Sequence, residues 1–161
     1  GAQVAVLGSG DSRYEQDLRS LSARHKGNLG VVIGFDEDLA HSIEAGADFF
    51  LMPSRFEPCG LNQMISMRYG TLPIVTRVGG LKDTVTALGE GENPTGLRVE
   101  RPTPSDLLDA VRRACMLFHE QKALFSVIRR NAMQKDVGWR SSAIQYYSLY
   151  TKMINFRERK R

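Results

Sequence analysis

The stretch that decides the fold is residues 48–70, DFFLMPSRFEPCGLNQMISMRYG. It begins with a short apolar run, residues 48–52, which is typical of a buried strand. A loop with two prolines and a glycine follows, and a helix is predicted from about residue 61 to residue 69. Gly70 suits the left-handed C-terminal cap of such a helix. The stretch is therefore one strand–loop–helix unit.

Similar units lie on both sides of this stretch. Further strands are predicted at residues 4–7, 29–33, 72–76 and 96–99, separated by helices at about 12–26, 36–45 and 81–86. Three helices complete the chain, at about 105–119, 122–135 and 139–156, and Trp139 is expected to anchor the last of them in the core. Strands that alternate with helices pair in parallel. The sequence thus predicts an α/β fold with a Rossmann-like parallel sheet and a helical carboxy-terminal third.

The composition is that of one globular domain. The chain has 161 residues, of which 42% are hydrophobic and 25% charged, so a single domain over residues 1–161 is expected. No apolar stretch reaches the ~18 residues of a membrane span, and no secretory signal opens the chain. Its abrupt start in an apolar run suggests a piece of a longer protein. Cys59 and Cys115 form no CxxC pair and have no histidine at ligand spacing, so neither a metal site nor a disulfide is expected.

The net charge of +4 is concentrated at the end of the chain, in Arg157, Arg159, Lys160 and Arg161. A solvated, frayed tail is the simpler interpretation. A nucleic-acid surface would need more basic residues, interleaved with aromatic side chains on a folded face. We therefore expect neither a nucleic-acid nor a membrane partner.

The loop before the helix at 61–69 is the strongest candidate for chemistry. Glu57 lies shortly before Gly60, where the helix opens. The first amides of a helix have no internal partner and carry partial positive charge, which suits a phosphate or sugar oxygen. Glu57 could accept hydrogen bonds from sugar hydroxyls. On spacing alone, an ordinary turn with a surface glutamate is an equally good interpretation.

Other strand ends carry weaker signals. Gly79 and Gly80 precede a helix and suit a second anion or sugar contact, although a Gly-Gly turn needs no ligand. The turn at residues 8–11 begins like a dinucleotide fingerprint, but Arg13 occupies the position of its third glycine. Phe35 follows the second strand and could stack on a base, while a place in the core is the alternative. In parallel sheets, ligands bind beyond these carboxyl ends.

Taken together, these motifs resemble the signature of bacterial glycogen synthases and plant starch synthases, glycosyltransferase family five. The resemblance is carried by residues 53–61, Gln63, 67–73 and 79–85, with the turn at 7–11 and the closing helix from Asp136 to Tyr150. It implies a GT-B architecture of two lobes around a cleft. This chain would be the carboxy-terminal, nucleotide-sugar lobe without its first strand, and the acceptor lobe would be absent.

The resemblance also implies an activity. Such an enzyme transfers glucose from ADP-glucose to the non-reducing end of an α-1,4-glucan, with retention and without a metal or other cofactor. ADP-glucose or ADP would bind this lobe, and the glucan would bind through the missing one. The location would be the bacterial cytoplasm, or the plastid stroma for a plant or alga. The residues leave open a preference for ADP- or UDP-glucose.

By the same resemblance, Glu57 would be the catalytic residue that holds the glucose hydroxyls. The predicted substrate-binding residues are Phe35, Cys59, Gly60, Leu61, Asn62, Gly79 and Gly80. Phe35 stands where the family often has a tyrosine beside the adenine, and residues 60–62 would meet the pyrophosphate or the glucose.

Several positions depart from the family pattern. Ile65 stands where the wider group often has a second glutamate, Asn62 where a threonine is usual, and Val78 where a threonine is common. The arginine and lysine that clamp the diphosphate in the family lie upstream of this chain. The chain alone is therefore expected to be inactive.

Two other functions remain open. A sugar-nucleotide epimerase of the same architecture is disfavoured by the run at residues 57–61. A non-catalytic module that binds nucleotide or glucan is physically close to the enzyme hypothesis. In either case, the unpaired edge of the strand at 4–7 and the apolar closing helix predict self-association.

Overall fold

The computed structural model describes residues 1–158 and confirms the α/β prediction. Its strands are β1 Val4–Gly8, β2 Leu29–Ile33, β3 Phe49–Met52, β4 Leu72–Thr76 and β5 Leu97–Val99. Its helices are α1 Ser12–Arg24, α2 Glu37–Gly46, α3 Asn62–Tyr69, α4 Gly79–Thr84, α5 Pro104–Glu120, α6 Lys122–Gln134 and α7 Trp139–Glu158. Of the predicted basic tail, Arg159, Lys160 and Arg161 lie outside the described residues.

The strands form two parallel sheets instead of the single predicted one. One sheet pairs β1 with β2, and the other has the order β3–β4–β5. Within residues 1–158, no strand pairs with the second edge of β1 or of β3, which confirms the unpaired edge predicted for the first strand. The sheet divides at this point because the described residues supply no strand between β1 and β3.

A cavity of about 590 Å³ marks the division between the sheets. It is lined by Val4 and Ala5 at the start of β1, by Asp48 and Phe49 at the start of β3, and by Phe118 of α5. Both β1 and β3 therefore begin at this cavity. Because the strands within each sheet are parallel, the carboxyl ends of each sheet, and the loops that follow them, lie at one edge of that sheet.

The core lies around the second sheet. All five residues of β4 and all three of β5 are buried. Helices α3, α5 and α6 pack against them through side chains such as Met67, Leu117 and Ile128, each at most 2% exposed. Burying one large aliphatic side chain stabilises a fold by about 1.5–3 kcal/mol. The second sheet is thus the firm base that carries the loop at residues 53–61.

The closing helix α7 lies outside this core. Trp139 is 79% exposed, so the prediction that it anchors the helix in the core is wrong. Ile144, Tyr147 and Met153 are also more than half exposed, because no described element covers the helix. Although α7 is long, none of the helices within residues 1–158 is apolar enough over sufficient length to span a membrane.

Candidate functional site

The loop at residues 53–61 joins β3 to α3 on the carboxyl side of the second sheet. The Thr76 hydroxyl at the end of β4 donates a hydrogen bond to the Ser54 carbonyl at 2.5 Å. This bond ties the loop's beginning to the neighbouring strand. Two of the segments singled out from the sequence, the loop and the Gly79-Gly80 turn, are therefore brought together at one sheet edge.

The loop lies directly on Gly79 and Gly80. The Gly80 amide donates to the carbonyls of Glu57 and Pro58, at 3.3 and 3.2 Å. A Cβ atom added at Gly79 would overlap the Glu57 carbonyl oxygen, and one added at Gly80 would overlap that of Cys59. The two glycines are thus required for close contact between the loops. Because its amide is already engaged, Gly80 supports the loop that would meet a substrate.

The start of α3 carries free amide groups. Gly60 adopts a left-handed φ of +73°, and no side chain caps the helix. The N–H groups of Gly60, Leu61 and Asn62 make no hydrogen bond within residues 1–158, and Leu61 is 62% exposed. Unpaired N–H groups at a helix start attract an anion, because the helix dipole adds to their own partial charge.

Glu57 provides a carboxylate three residues before Gly60 in the same loop. Its side chain is partly buried, and no hydrogen bond or ion pair of the carboxylate is found in the described part of the chain. The Glu57 carbonyl is the group held by Gly80. Because its main chain is held in this way, the carboxylate is left available for a ligand.

Gln63 is a residue of the candidate site that reasoning from spacing missed. Its side chain is fully buried in the first turn of α3. The Nε2 atom donates to the carbonyls of Cys59 and Gly60 and to the Thr84 hydroxyl, at 3.2, 2.9 and 3.0 Å. The signal in the sequence that could have found it is a long polar side chain on the apolar face of the predicted helix.

Phe35 lies at the carboxyl end of β2, in the first sheet. Its ring is 91% exposed, so the alternative of a core position is wrong. The next residue, Asp36, accepts a hydrogen bond from the Leu39 amide and caps α2. The exposed ring thus lies at a fixed turn after the carboxyl end of β2.

The carboxyl groups with displaced pKa values lie away from the loop. On α5, the hydrogen bond from Arg101 lowers the pKa of Asp106 to about 2. On α2, burial raises the pKa of Glu44. Among residues 1–158, no group of three or more His, Cys, Asp or Glu side chains is arranged to hold a metal ion.

Comparisons with known proteins relate this arrangement to one family. The family described as "Glycosyl transferases group 1" matches residues 1–116. The chain is 51% identical over 148 residues to a glycogen synthase of Anaeromyxobacter dehalogenans, covering 92% of this chain and 31% of that protein. It is 46% identical over 154 residues to a glycogen synthase of Rhodospirillum rubrum, covering 96% and 32%.

A solved structure shows the same relationship. The catalytic domain of starch synthase IV from Arabidopsis thaliana, bound to ADP and acarbose, superposes with a TM-score of 0.84 and 32% sequence identity. The match covers 96% of this chain and 33% of that one. The chain therefore spans about a third of the length of the relatives it matches.

Proposed function

The chain belongs to the group 1 glycosyl transferases, and we propose that it is the nucleotide-sugar-binding lobe of a glycogen or starch synthase. The whole enzyme would transfer glucose from ADP-glucose to the non-reducing end of an α-1,4-glucan, with retention of configuration. Residues 1–161 form the donor lobe, and a second lobe outside this chain presents the glucan. The bacterial origin of both glycogen synthases supports a bacterial cytoplasmic enzyme over a plastid one.

The observation that carries this proposal is that one loop contains both the unpaired amides at residues 60–62 and the unpartnered carboxylate of Glu57. In glucosyl transfer from a nucleotide sugar, negative charge develops on the departing diphosphate. Preorganised N–H groups stabilise such charge, and each one typically contributes a few kcal/mol. The amides of Gly60, Leu61 and Asn62 perform this role.

Glu57 acts on the sugar. A carboxylate accepts strong hydrogen bonds from hydroxyl groups, so it holds the glucose with its anomeric carbon toward the acceptor. Cys59 contributes main-chain contacts in the same loop. Gly79 and Gly80 support the loop from below. The reaction as proposed uses no metal or other cofactor, since charge stabilisation comes from the main chain and from the cations of the whole enzyme.

Phe35 holds the base. Its exposed ring at the end of β2 is available to stack on the adenine, and base–aromatic stacking contributes about 1–3 kcal/mol. The relative that was solved with ADP and acarbose supports the choice of an adenine nucleotide and of a glucan partner.

Calorimetric titration of the chain with ADP, UDP and ADP-glucose tests the proposal. We expect binding of ADP and ADP-glucose, with ADP favoured over UDP. Absence of binding for all three would contradict the nucleotide site, and equal binding of ADP and UDP would contradict adenine selection by Phe35.

A substitution separates the sugar contact from the nucleotide contact. Glu57→Gln should weaken binding of ADP-glucose by about tenfold and leave ADP binding unchanged, because the lost charge faces the glucose. The matched control is Glu92→Gln, which changes an exposed glutamate in the loop before β5. Equal effects on both ligands, or no effect, would remove Glu57 from the sugar site.

A further inference from the structure

We propose that Gln63 is the positioning residue of this site, whose buried amide turns the N–H groups of Gly60 and Leu61 toward the substrate. The inference rests on the proposed function, since it assigns those N–H groups to a nucleotide sugar. Gln63 itself is fully buried, so it acts only through the loop it holds.

The first step is the geometry of the peptide planes. The Gln63 Nε2 atom donates to the carbonyl oxygens of Cys59 and Gly60. In a trans peptide the C=O of one residue and the N–H of the next point in opposite directions, and no described peptide is cis. By drawing both carbonyls inward, Gln63 turns the N–H groups of Gly60 and Leu61 outward. These two groups are among those without a partner.

The second step is the connection to the neighbouring turn. The same Nε2 atom donates to the Thr84 hydroxyl at 3.0 Å, and that hydroxyl donates to the Gly80 carbonyl at 2.5 Å. The Gly80 amide in turn binds the carbonyls of Glu57 and Pro58. Gln63 therefore closes a ring of hydrogen bonds that joins the loop, α3 and α4. Displacement of any one of these segments would move the amides and Glu57 together.

The third step concerns the amide oxygen of Gln63. The Gln63 Oε1 atom is buried and has no hydrogen-bond partner within residues 1–158. Exchanging the amide oxygen and nitrogen would set Oε1 against the two carbonyls, so the orientation is fixed by its acceptors. A buried acceptor without a partner destabilises a protein. An apolar residue at this position would leave no such acceptor, so the polar side chain is explained by the carbonyl groups that its Nε2 atom holds.

Gln63→Met provides the main test, because methionine keeps the length and apolar packing of the side chain but has no donor. We expect the Kd for ADP to rise by about tenfold or more, with a lower midpoint of urea unfolding as well, because the carbonyls of Cys59 and Gly60 and the Thr84 hydroxyl lose their donor. The matched control is Asn131→Leu, which removes a partly buried amide that donates to the Pro94 carbonyl at 3.2 Å, on other elements. This control should leave ADP binding unchanged. Unchanged ADP binding in Gln63→Met, or an equal loss of ADP binding in Asn131→Leu, would overturn the proposal.

A second variant covers the case in which Gln63→Met fails to fold. Gln63→Glu keeps the shape of the side chain and donates a hydrogen bond only when its carboxyl is protonated. ADP binding by Gln63→Glu, measured relative to the unchanged chain, should recover as pH falls. A flat ratio across the pH range would contradict the positioning role.

A measurement without nucleotide separates this proposal from the proposed function. The amide order parameters of Gly60 and Leu61 should be about 0.85 in the unchanged chain and fall below about 0.6 in Gln63→Met. If the unchanged chain binds no ADP, the nucleotide site is wrong, and the order parameters still decide the role of Gln63. Unchanged order parameters of these two amides in Gln63→Met would overturn the positioning role.

Discussion

Arg98 and Glu90 form an ion pair that holds the loop before β5. The Arg98 side chain is 4% exposed, and its Nη2 lies 2.5 Å from Glu90 Oε2. The Nε and Nη1 atoms of Arg98 are buried without a partner in the described residues. The guanidinium therefore depends on Glu90 for charge compensation.

We expect Glu90→Gln to lower the free energy of unfolding by about 3 kcal/mol, the lower end for a broken buried pair, because Glu90 is partly exposed. Arg98→Met should be neutral or stabilising, since no buried charge is left behind. Urea denaturation measures both, with the exposed Glu92→Gln as control. A larger loss of unfolding free energy in Arg98→Met than in Glu90→Gln would show that Arg98 stabilises the fold through its packing instead of through its charge.

The two sheets differ in how firmly they are held. Every residue of β4 is buried, whereas Val4 in β1 and Val32 in β2 are 53% and 46% exposed. The free energy of local opening falls where few apolar contacts are buried. The β1–β2 sheet is thus the weaker element of the lobe.

Native-state hydrogen exchange should reveal this difference. Amides of β1 and β2 are expected to exchange through local opening at a lower free energy than those of β4, which should exchange only on global unfolding. Residue-resolved exchange as a function of urea measures both values. Equal opening free energies in the two sheets would mean that the lobe unfolds as one unit despite the divided sheet.

The lobe as a whole exposes surfaces that normally contact other protein. One edge of β1 and one of β3 carry no strand partner in residues 1–158, and α7 exposes apolar side chains around its circumference. Unpaired edges and large apolar surfaces promote association. We expect the isolated chain to self-associate at micromolar to millimolar concentration.

Sedimentation velocity tests this expectation, with Tyr147→Glu and Ile154→Lys together as the matched variant. Both side chains lie on α7 and are 74% and 59% exposed, so their replacement should reduce association without loss of fold. A strict monomer at high concentration would contradict the prediction. Association that the α7 variant does not reduce would assign the contact to the strand edges.

The isolated chain should transfer no glucose. Transfer requires the acceptor hydroxyl within about 3–3.5 Å of the anomeric carbon, and such positioning can supply about 7–11 kcal/mol of the barrier. In the proposed enzyme the acceptor is held by a second lobe, which this chain does not include. Incorporation of labelled glucose from ADP-glucose into glycogen, beside a full-length glycogen synthase, is the assay. Turnover within about tenfold of that control would mean that the acceptor site lies in this chain.

Local patterns of sequence were sufficient for the elements and for the position of the main loop. The apolar run before residues 53–60 and the glycine that closes α3 predict a strand, a loop and a helix, because neighbours along the chain decide these features. The free amides at residues 60–62 follow in turn, since any helix start leaves them unpaired.

Only the tertiary structure decided how the loop is held and where the sheet divides. The contact between Gly80 and the Glu57 carbonyl joins groups more than twenty residues apart, and the bonds of Gln63 depend on where β3 and β4 place their loops. Trp139 is predicted from the sequence to lie in the core, but no described element covers its side chain. Periodicity along a chain determines which face of an element is apolar, whereas the partner of that face depends on elements distant in sequence.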